Sequence, residues 1–187
     1  MKRVGLLACL VVVIGAAVSM RPAAQTVTIA GDLMKDWKAQ KVLMMGIADA
    51  MPEDKFGYKS TPPQRSYAEQ ILHVAGANVM LMKFLGSNAT APAVNGSDLS
   101  TFGLKATSKA DVLKALSDSY DYGEAVLKEF PDAALAQTVK GPPWIGDTTR
   151  AKMVWYTLGH TQDIYGQMAV YLRLNGIVPP ASRRGGV

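Results

Sequence analysis

Apolar residues recur at gaps of three and four in four separate stretches of the chain, the spacing that places side chains on one face of an α-helix. The first stretch runs from about Ile29 to Ala50 and stops at Pro52, which cannot continue a helix. Its apolar positions are Leu33, Trp37, Met44, Ile47 and Met51. The pattern predicts a first helix with one buried stripe.

The second stretch begins with a helix-start signal. Ser66 and Glu69 have the spacing of a capping box, in which each side chain bonds the other residue's backbone amide. The helix is expected to continue to about Leu85 and to stop at Gly86. Its apolar positions are Ile71, Val74, Ala77, Met80, Leu81, Phe84 and Leu85.

Two further helices follow the second one. Residues 87–107 are rich in Gly, Ser, Thr, Ala and Asn and predict a long crossing loop. Ser108 and Asp111 then mark the start of a third helix, whose stripe extends to Phe130. Its positions are Leu113, Leu116, Tyr120, Gly123, Leu127 and Phe130.

The fourth helix is expected to be capped by Thr148 or Thr149 and to stop at Gly176. The segment 131–147 before it predicts a loop, in which Trp144 is either a lid or a plug over the end of the bundle. Four helices of about 20 residues, with a long loop between the second and third, indicate an all-α four-helix bundle.

The first two dozen residues differ from the rest. Lys2 and Arg3 precede an uncharged apolar run over residues 4–18, which is typical of a signal peptide and short for a membrane span of about 20 residues. Candidate cleavage positions follow Ala17, Ser19 and Ala24. We therefore expect residues 1–24 to be a signal peptide, residues 25–187 to be the domain, and the protein to be exported, periplasmic or secreted. The alternative is a membrane anchor formed by an uncleaved leader.

Removal of the leader changes the electrostatic picture. The 187 residues carry a net charge of +5. The leader holds Lys2, Arg3 and Arg21 but no acidic residue, so the mature net charge is +2. That value gives no argument for nucleic acid as a partner, and none is expected. Cys9 also leaves with the leader, which excludes a thiol nucleophile and a thiolate metal site in the domain.

The candidate chemistry rests on two histidines. His73 lies on the second predicted helix in register with Ala77 and Met80, and His160 lies on the fourth in register with Met153 and Tyr156. A buried imidazole needs a partner, because an unpaired polar group costs about 1–3 kcal/mol. A metal, a water or a carboxylate could serve, and a plain hydrogen-bonded core histidine is the alternative.

Two segments resemble the DinB-like family. MPEDKFGYKSTPPQRSYAEQILHVAGAN resembles the family's end of helix one, loop and start of helix two, which ends in a helical histidine. GHTQDIYGQMAVYLRLNGIVPP resembles its last helix, with the pattern H-x-x-x-H-x-G-Q. The resemblance implies a four-helix bundle that holds a divalent metal with three histidines. His73 and His160 match two of these positions, but the third is Ile164, which cannot coordinate.

Two neighbours of the missing ligand could compensate. Asp163 is a possible substitute, since two histidines and one carboxylate form known metal sites. However, it lies about 100° around the helix from the direction of Ile164 and is expected to point to solvent or a neighbouring helix. Gln167, one turn further on, is expected to hydrogen-bond an imidazole or nearby backbone and so to support the ligands.

Two functions follow from the resemblance. One is an exported DinB-like protein with a degenerate histidine site that binds Zn or Ni weakly and acts as a transferase or hydrolase on a small molecule. The other is a non-catalytic bundle without metal that binds a small ligand or has a structural role. Enzymatic activity and a homodimer both remain open at this point.

Overall fold

The computed structural model describes residues 27–92 and 108–183. Its helices are α1 (Ile29–Ala50), α2 (Tyr67–Lys83), α3 (Lys109–Leu127), α4 (Asp132–Leu135) and α5 (Arg150–Leu174). Short strands β1 (Thr138–Lys140) and β2 (Asp147–Thr149) form an antiparallel pair. The predicted signal peptide, residues 1–24, and most of the predicted crossing loop, residues 93–107, lie outside the described residues.

The four long helices form a bundle in which α1 and α2 each pack against both α3 and α5. Tyr67 at the start of α2 donates a hydrogen bond to the carbonyl of Ile47 near the end of α1. Arg150 at the start of α5 donates to the carbonyl of Leu85, just beyond α2, at 2.8 Å. Lys109 at the start of α3 donates to the carbonyl of Met51 at 3.0 Å. Consequently α1 and α5 run in one direction and α2 and α3 in the other, and the predicted four-helix bundle is confirmed.

The polar residues that precede the helices act as the sequence predicts. The side chain of Ser66 accepts from the amide of Glu69, whose carboxylate accepts from the amide of Ser66, so the capping box is complete. The side chains of Ser108 and Thr149 cap α3 and α5 by accepting from the amides of Asp111 and Lys152, without the reciprocal bond. These bonds satisfy amides that the first helical turn leaves without partners.

The start of α1 is held by a residue remote in sequence. The carboxylate of Asp132, at the start of α4, accepts from the backbone amides of Ile29 at 3.1 Å and Ala30 at 2.8 Å. A negative charge at a helix N-terminus also interacts favourably with the helix dipole. The short α4 therefore fixes the beginning of α1.

The segment 131–147 departs from the prediction of an irregular loop. It contains α4, which has four residues, and β1, the first strand of a hairpin, which has three. Elements this short give no periodic signal in the sequence. The prediction that Trp144 covers the end of the bundle is wrong, since its side chain is 62% exposed. Gly141 and Pro142 are the buried residues of this turn.

The core lies along the axis of the bundle and contains most of the predicted stripe positions, and the others pack against it partly buried, namely Leu33, Met80, Phe84, Leu113 and Phe130. Its largest fully buried side chains include Trp37, Tyr67, Tyr120, Met44, Ile47 and Leu116. Of the helices in residues 27–92 and 108–183, none is both long enough and apolar enough to cross a membrane.

Candidate metal centre

The two histidines of the chain meet in the structure. His73 from α2 and His160 from α5 lie on facing sides of neighbouring helices, with their Nε2 atoms 3.0 Å apart. The ring centroids are 4.9 Å apart and the rings are inclined by 61°. Both side chains are partly buried. Residues 87 positions apart in sequence thus form one polar contact between two helices.

Both imidazoles are held in the neutral form. Burial lowers the pKa of His73 to about 4, and the positive charge of Arg65 lowers it further, as does His160 when it is protonated. Burial also lowers the pKa of His160, and Arg65 acts in the same direction, while the carboxylate of Asp163 partly opposes it. A neutral imidazole is the form that binds a metal ion.

The contact between the rings leaves one nitrogen without a partner. In a neutral pair one Nε2 donates its hydrogen and the other accepts it. Nδ1 of His160 is buried and has no hydrogen-bond partner among the described residues. Whichever ring donates, this buried Nδ1 is left without a partner, at a cost of about 1–3 kcal/mol.

The pair fits two ligand positions of a divalent metal. Two bonds of about 2.0–2.1 Å at a tetrahedral angle place their nitrogens about 3.3 Å apart. The observed 3.0 Å is therefore a few tenths of an ångström short of that spacing. A small outward rotation of the rings would admit the ion.

The described part of the chain holds no closed set of three protein ligands. Ile164 is 3% exposed and packs in the apolar core. No group of three or more His, Cys, Asp or Glu side chains that could hold a metal occurs in residues 27–92 and 108–183. The described residues thus offer an ion two imidazole ligands and no third His, Cys, Asp or Glu ligand beside them.

The two predicted neighbours bond to each other. Asp163 is exposed, and its Oδ2 accepts from Nε2 of Gln167 at 3.0 Å. The carbonyl oxygen of Gln167 in turn accepts from Nε2 of Gln70 on α2 at 2.9 Å. The side-chain partners of Gln167 are thus Asp163 and Gln70. This chain of three side chains links α2 to α5 near the histidines.

Two residues near the pair, Gln70 and Arg65, were not singled out from the sequence. Gln70 precedes His73 by three residues, so both lie on one face of α2, and this spacing could have indicated it. Arg65 lies in the segment before α2, where no periodicity applies. Its position depends on the fold, in which its carbonyl accepts a hydrogen bond from the Tyr171 hydroxyl of α5 at 2.7 Å.

Comparison with known proteins agrees with this architecture. Residues 37–168 match the family model described as the DinB superfamily. A solved structure of a DinB-like protein from Bacillus cereus ATCC 10987 is similar, with 16% sequence identity and a TM-score of 0.68. The superposition covers 82% of this chain and 96% of that one, and at this identity the likeness concerns the fold. No curated protein matches the sequence.

Proposed function

The chain belongs to the DinB superfamily, and on that premise we propose that it is an exported, metal-dependent transferase or hydrolase of a small molecule. Its ion, Zn²⁺ or Ni²⁺, is held weakly by His73 and His160. The observation that carries the proposal is the 3.0 Å distance between the two Nε2 atoms. Two imidazoles that converge from different helices and stay neutral offer a pair of donors aimed at one point.

A bound divalent ion would lower the pKa of a water or thiol and so supply a nucleophile near neutral pH. The surrounding residues serve this chemistry in two ways. Arg65 places a positive charge close enough to lower the pKa of both imidazoles, and the same charge attracts an anionic substrate. Ile164 leaves the third ligand position apolar, which keeps the ion weakly held and open to exchange.

A second function has one specific observation in its favour. The two histidines already satisfy one nitrogen each through their mutual hydrogen bond, so the pair is stable without a metal. In that case the protein is a non-catalytic bundle that binds a small ligand or has a structural role, and Ile164 is simply a core residue.

Metal titration distinguishes the two functions. Calorimetry of the chelator-treated protein with Zn²⁺ and with Ni²⁺ is compared for the wild type, His73→Ala and His160→Ala. Lys152→Ala, an exposed change on the same helix and away from both histidines, is the matched control. The metal proposal expects one site per chain, lost in both histidine variants and kept in the control. Equal heats in all four proteins, or none, would establish the metal-free bundle.

Asp163 has its own test within the same experiment. If its carboxylate replaces the missing third ligand, Asp163→Asn weakens the site by about tenfold, or about 1.4 kcal/mol. Its exposure and its bond to Gln167 favour no such loss. We therefore expect Asp163→Asn to bind as the wild type does.

Export is tested on the full-length chain. The mass of the protein recovered from outside the cytoplasm should correspond to cleavage after Ala17, Ser19 or Ala24. A full-length mass in the membrane fraction would instead support the uncleaved anchor. Sedimentation of the same material gives the oligomeric state and so tests the homodimer.

A further inference from the structure

A groove opens between the parallel helices α1 and α5, on the flank of α5 away from His160. Its volume is about 340 Å³, within the range of sites for small organic ligands. Its lining includes Asp36, Gln40 and Leu43 from α1 and Trp155, Gly159 and Gln162 from α5. They recur at gaps of three and four on both helices, so the groove follows one face of each.

Gly159 keeps the middle of the groove open. A Cβ atom at this position would have no neighbouring atom within 4 Å. Glycine in the interior of a helix is unfavourable relative to alanine by about 0.5–1 kcal/mol, and packing does not require it here. The space beside Gly159 is therefore unoccupied and is not needed for the packing of the helices.

A carboxylate and an indole lie toward the same end. Asp36 and Trp155 are the first groove residues of their helices, and α1 and α5 run in the same direction. Trp155 is 65% exposed, and Asp36 forms no ion pair within the described residues. The face of an indole and a free carboxylate both attract cations. This end of the groove therefore suits an ammonium or amidinium group.

The middle of the groove has an unused hydrogen-bond donor. Gln40 is only 4% exposed, and its Nε2 has no partner among the described residues. Buried amides normally have partners, because the lost hydrogen bonds with water are otherwise not replaced. Nε2 is itself buried, so the Gln40 side chain must turn toward the groove before a carbonyl or hydroxyl oxygen of a ligand can supply the acceptor.

We propose that this groove binds a small organic cation with a flat apolar body and an adjacent carbonyl or hydroxyl oxygen. The cation pairs with Asp36, the flat body packs on Trp155 over Gly159, and the oxygen accepts from Gln40. The site is independent of the histidine pair, which lies on the flank of α5 that faces α2. The groove is thus a second ligand site, separate from the one proposed at the histidines.

Three probes separate these contributions. Phenylalaninamide carries the cation, the ring and the carbonyl, phenethylamine lacks the carbonyl, and 3-phenylpropionamide lacks the cation. Each is titrated into ¹⁵N-labelled protein near pH 6.5, below the pKa of about 8 of an α-amine, with the Trp155 Nε1–H signal as the readout. We expect phenylalaninamide to shift this signal. Phenethylamine should bind with lower affinity, and 3-phenylpropionamide should bind about tenfold more weakly than phenylalaninamide.

Matched variants locate the site. Gly159→Leu fills the groove and should abolish the shift, whereas Gly166→Leu, on the same helix and equally free of neighbours, should not. Trp155→Ala should abolish binding measured by calorimetry, whereas Trp144→Ala, a similarly exposed tryptophan, should not. Asp36→Asn should remove the preference for the charged probes.

Several results would overturn the proposal. They are equal affinity for all three probes, no response of Trp155 to any of them, and undiminished binding in Gly159→Leu. A Trp155 signal that depends on protein concentration without ligand would mean that a second copy of the chain covers the groove, which also overturns it.

Discussion

The indole of Trp37 occupies the space that a side chain at Gly123 would need. A Cβ atom built at Gly123 would lie 2.0 Å from Cζ2 of Trp37. The indole cannot easily yield, because its Nε1 donates a 2.9 Å hydrogen bond to the carbonyl of Tyr120 and its ring is 1% exposed. The approach of α1 to α3 thus depends on a residue without a side chain.

Gly123→Ala should therefore destabilise the protein by about 3 kcal/mol, despite the better helix propensity of alanine. The free energy of unfolding in urea measures the effect. Gly46→Ala is the matched control in α1, since its Cβ would meet nothing within 4 Å, and it should be neutral or stabilising. Equal stability of the two variants would contradict the assigned contact.

Ile164→His tests whether the bundle still accepts a third ligand. Without metal, the variant should unfold at lower temperature, because Ile164 is buried and an imidazole there lacks a partner. With Zn²⁺ it should regain stability and bind the ion about tenfold or more tightly than the wild type. Ile164→Leu keeps the apolar volume and should show neither effect. A variant destabilised to the same extent with and without Zn²⁺ would contradict the assigned geometry.

The histidine pair should make stability depend on pH. The pKa of His73 is about 4 in the folded protein and near 6.5 in the unfolded chain, so the unfolded state takes up the proton first as the pH falls. The contribution of neutral His73 to the free energy of unfolding is therefore fully present above pH 6.5 and is lost as the pH falls toward 4. Solvent screening of a half-buried ring limits it to about 2 kcal/mol.

Urea unfolding at several pH values, with a chelator present, measures this loss. His73→Gln should flatten the decline between about pH 6.5 and 4 relative to the wild type. Carboxylates titrate in both proteins, so the difference between the two curves isolates the histidine. Parallel curves would contradict the lowered pKa.

Asp132 should stabilise the start of α1. Asp132→Ala removes the acceptor of two backbone hydrogen bonds and should cost about 1 kcal/mol, with faster amide exchange at Ile29 and Ala30. Asp54→Ala, an exposed carboxylate without a hydrogen bond in the described residues, is the control. Unchanged exchange at the two amides would show that other contacts hold this end.

The long helices and their caps were predictable because they depend on neighbours in sequence. Ser66 with Glu69 and the stripes of α1 and α2 are patterns of local spacing, and the structure places them as expected. The fold also agrees with the family resemblance carried by the segments around His73 and His160.

The remaining features depend on tertiary contacts that no local spacing encodes. The distance between His73 and His160 is fixed by the packing of α2 on α5, and the role of Asp132 by a contact across more than 100 residues. The elements within residues 131–149 are too short for periodicity. Asp36 and Trp155 become neighbours of one groove only because α1 and α5 run in parallel.

The position of α5 between α1 and α2 places the histidine pair and the groove on two separate faces of this helix. His160 and Gln167 project toward α2, and Trp155 and Gly159 project toward α1, with buried residues such as Met168 between them on the core side. Substitutions every third or fourth residue along one face leave the other face unchanged. The chemistry on one side of the helix can therefore be gained, lost or exchanged during evolution without altering the other.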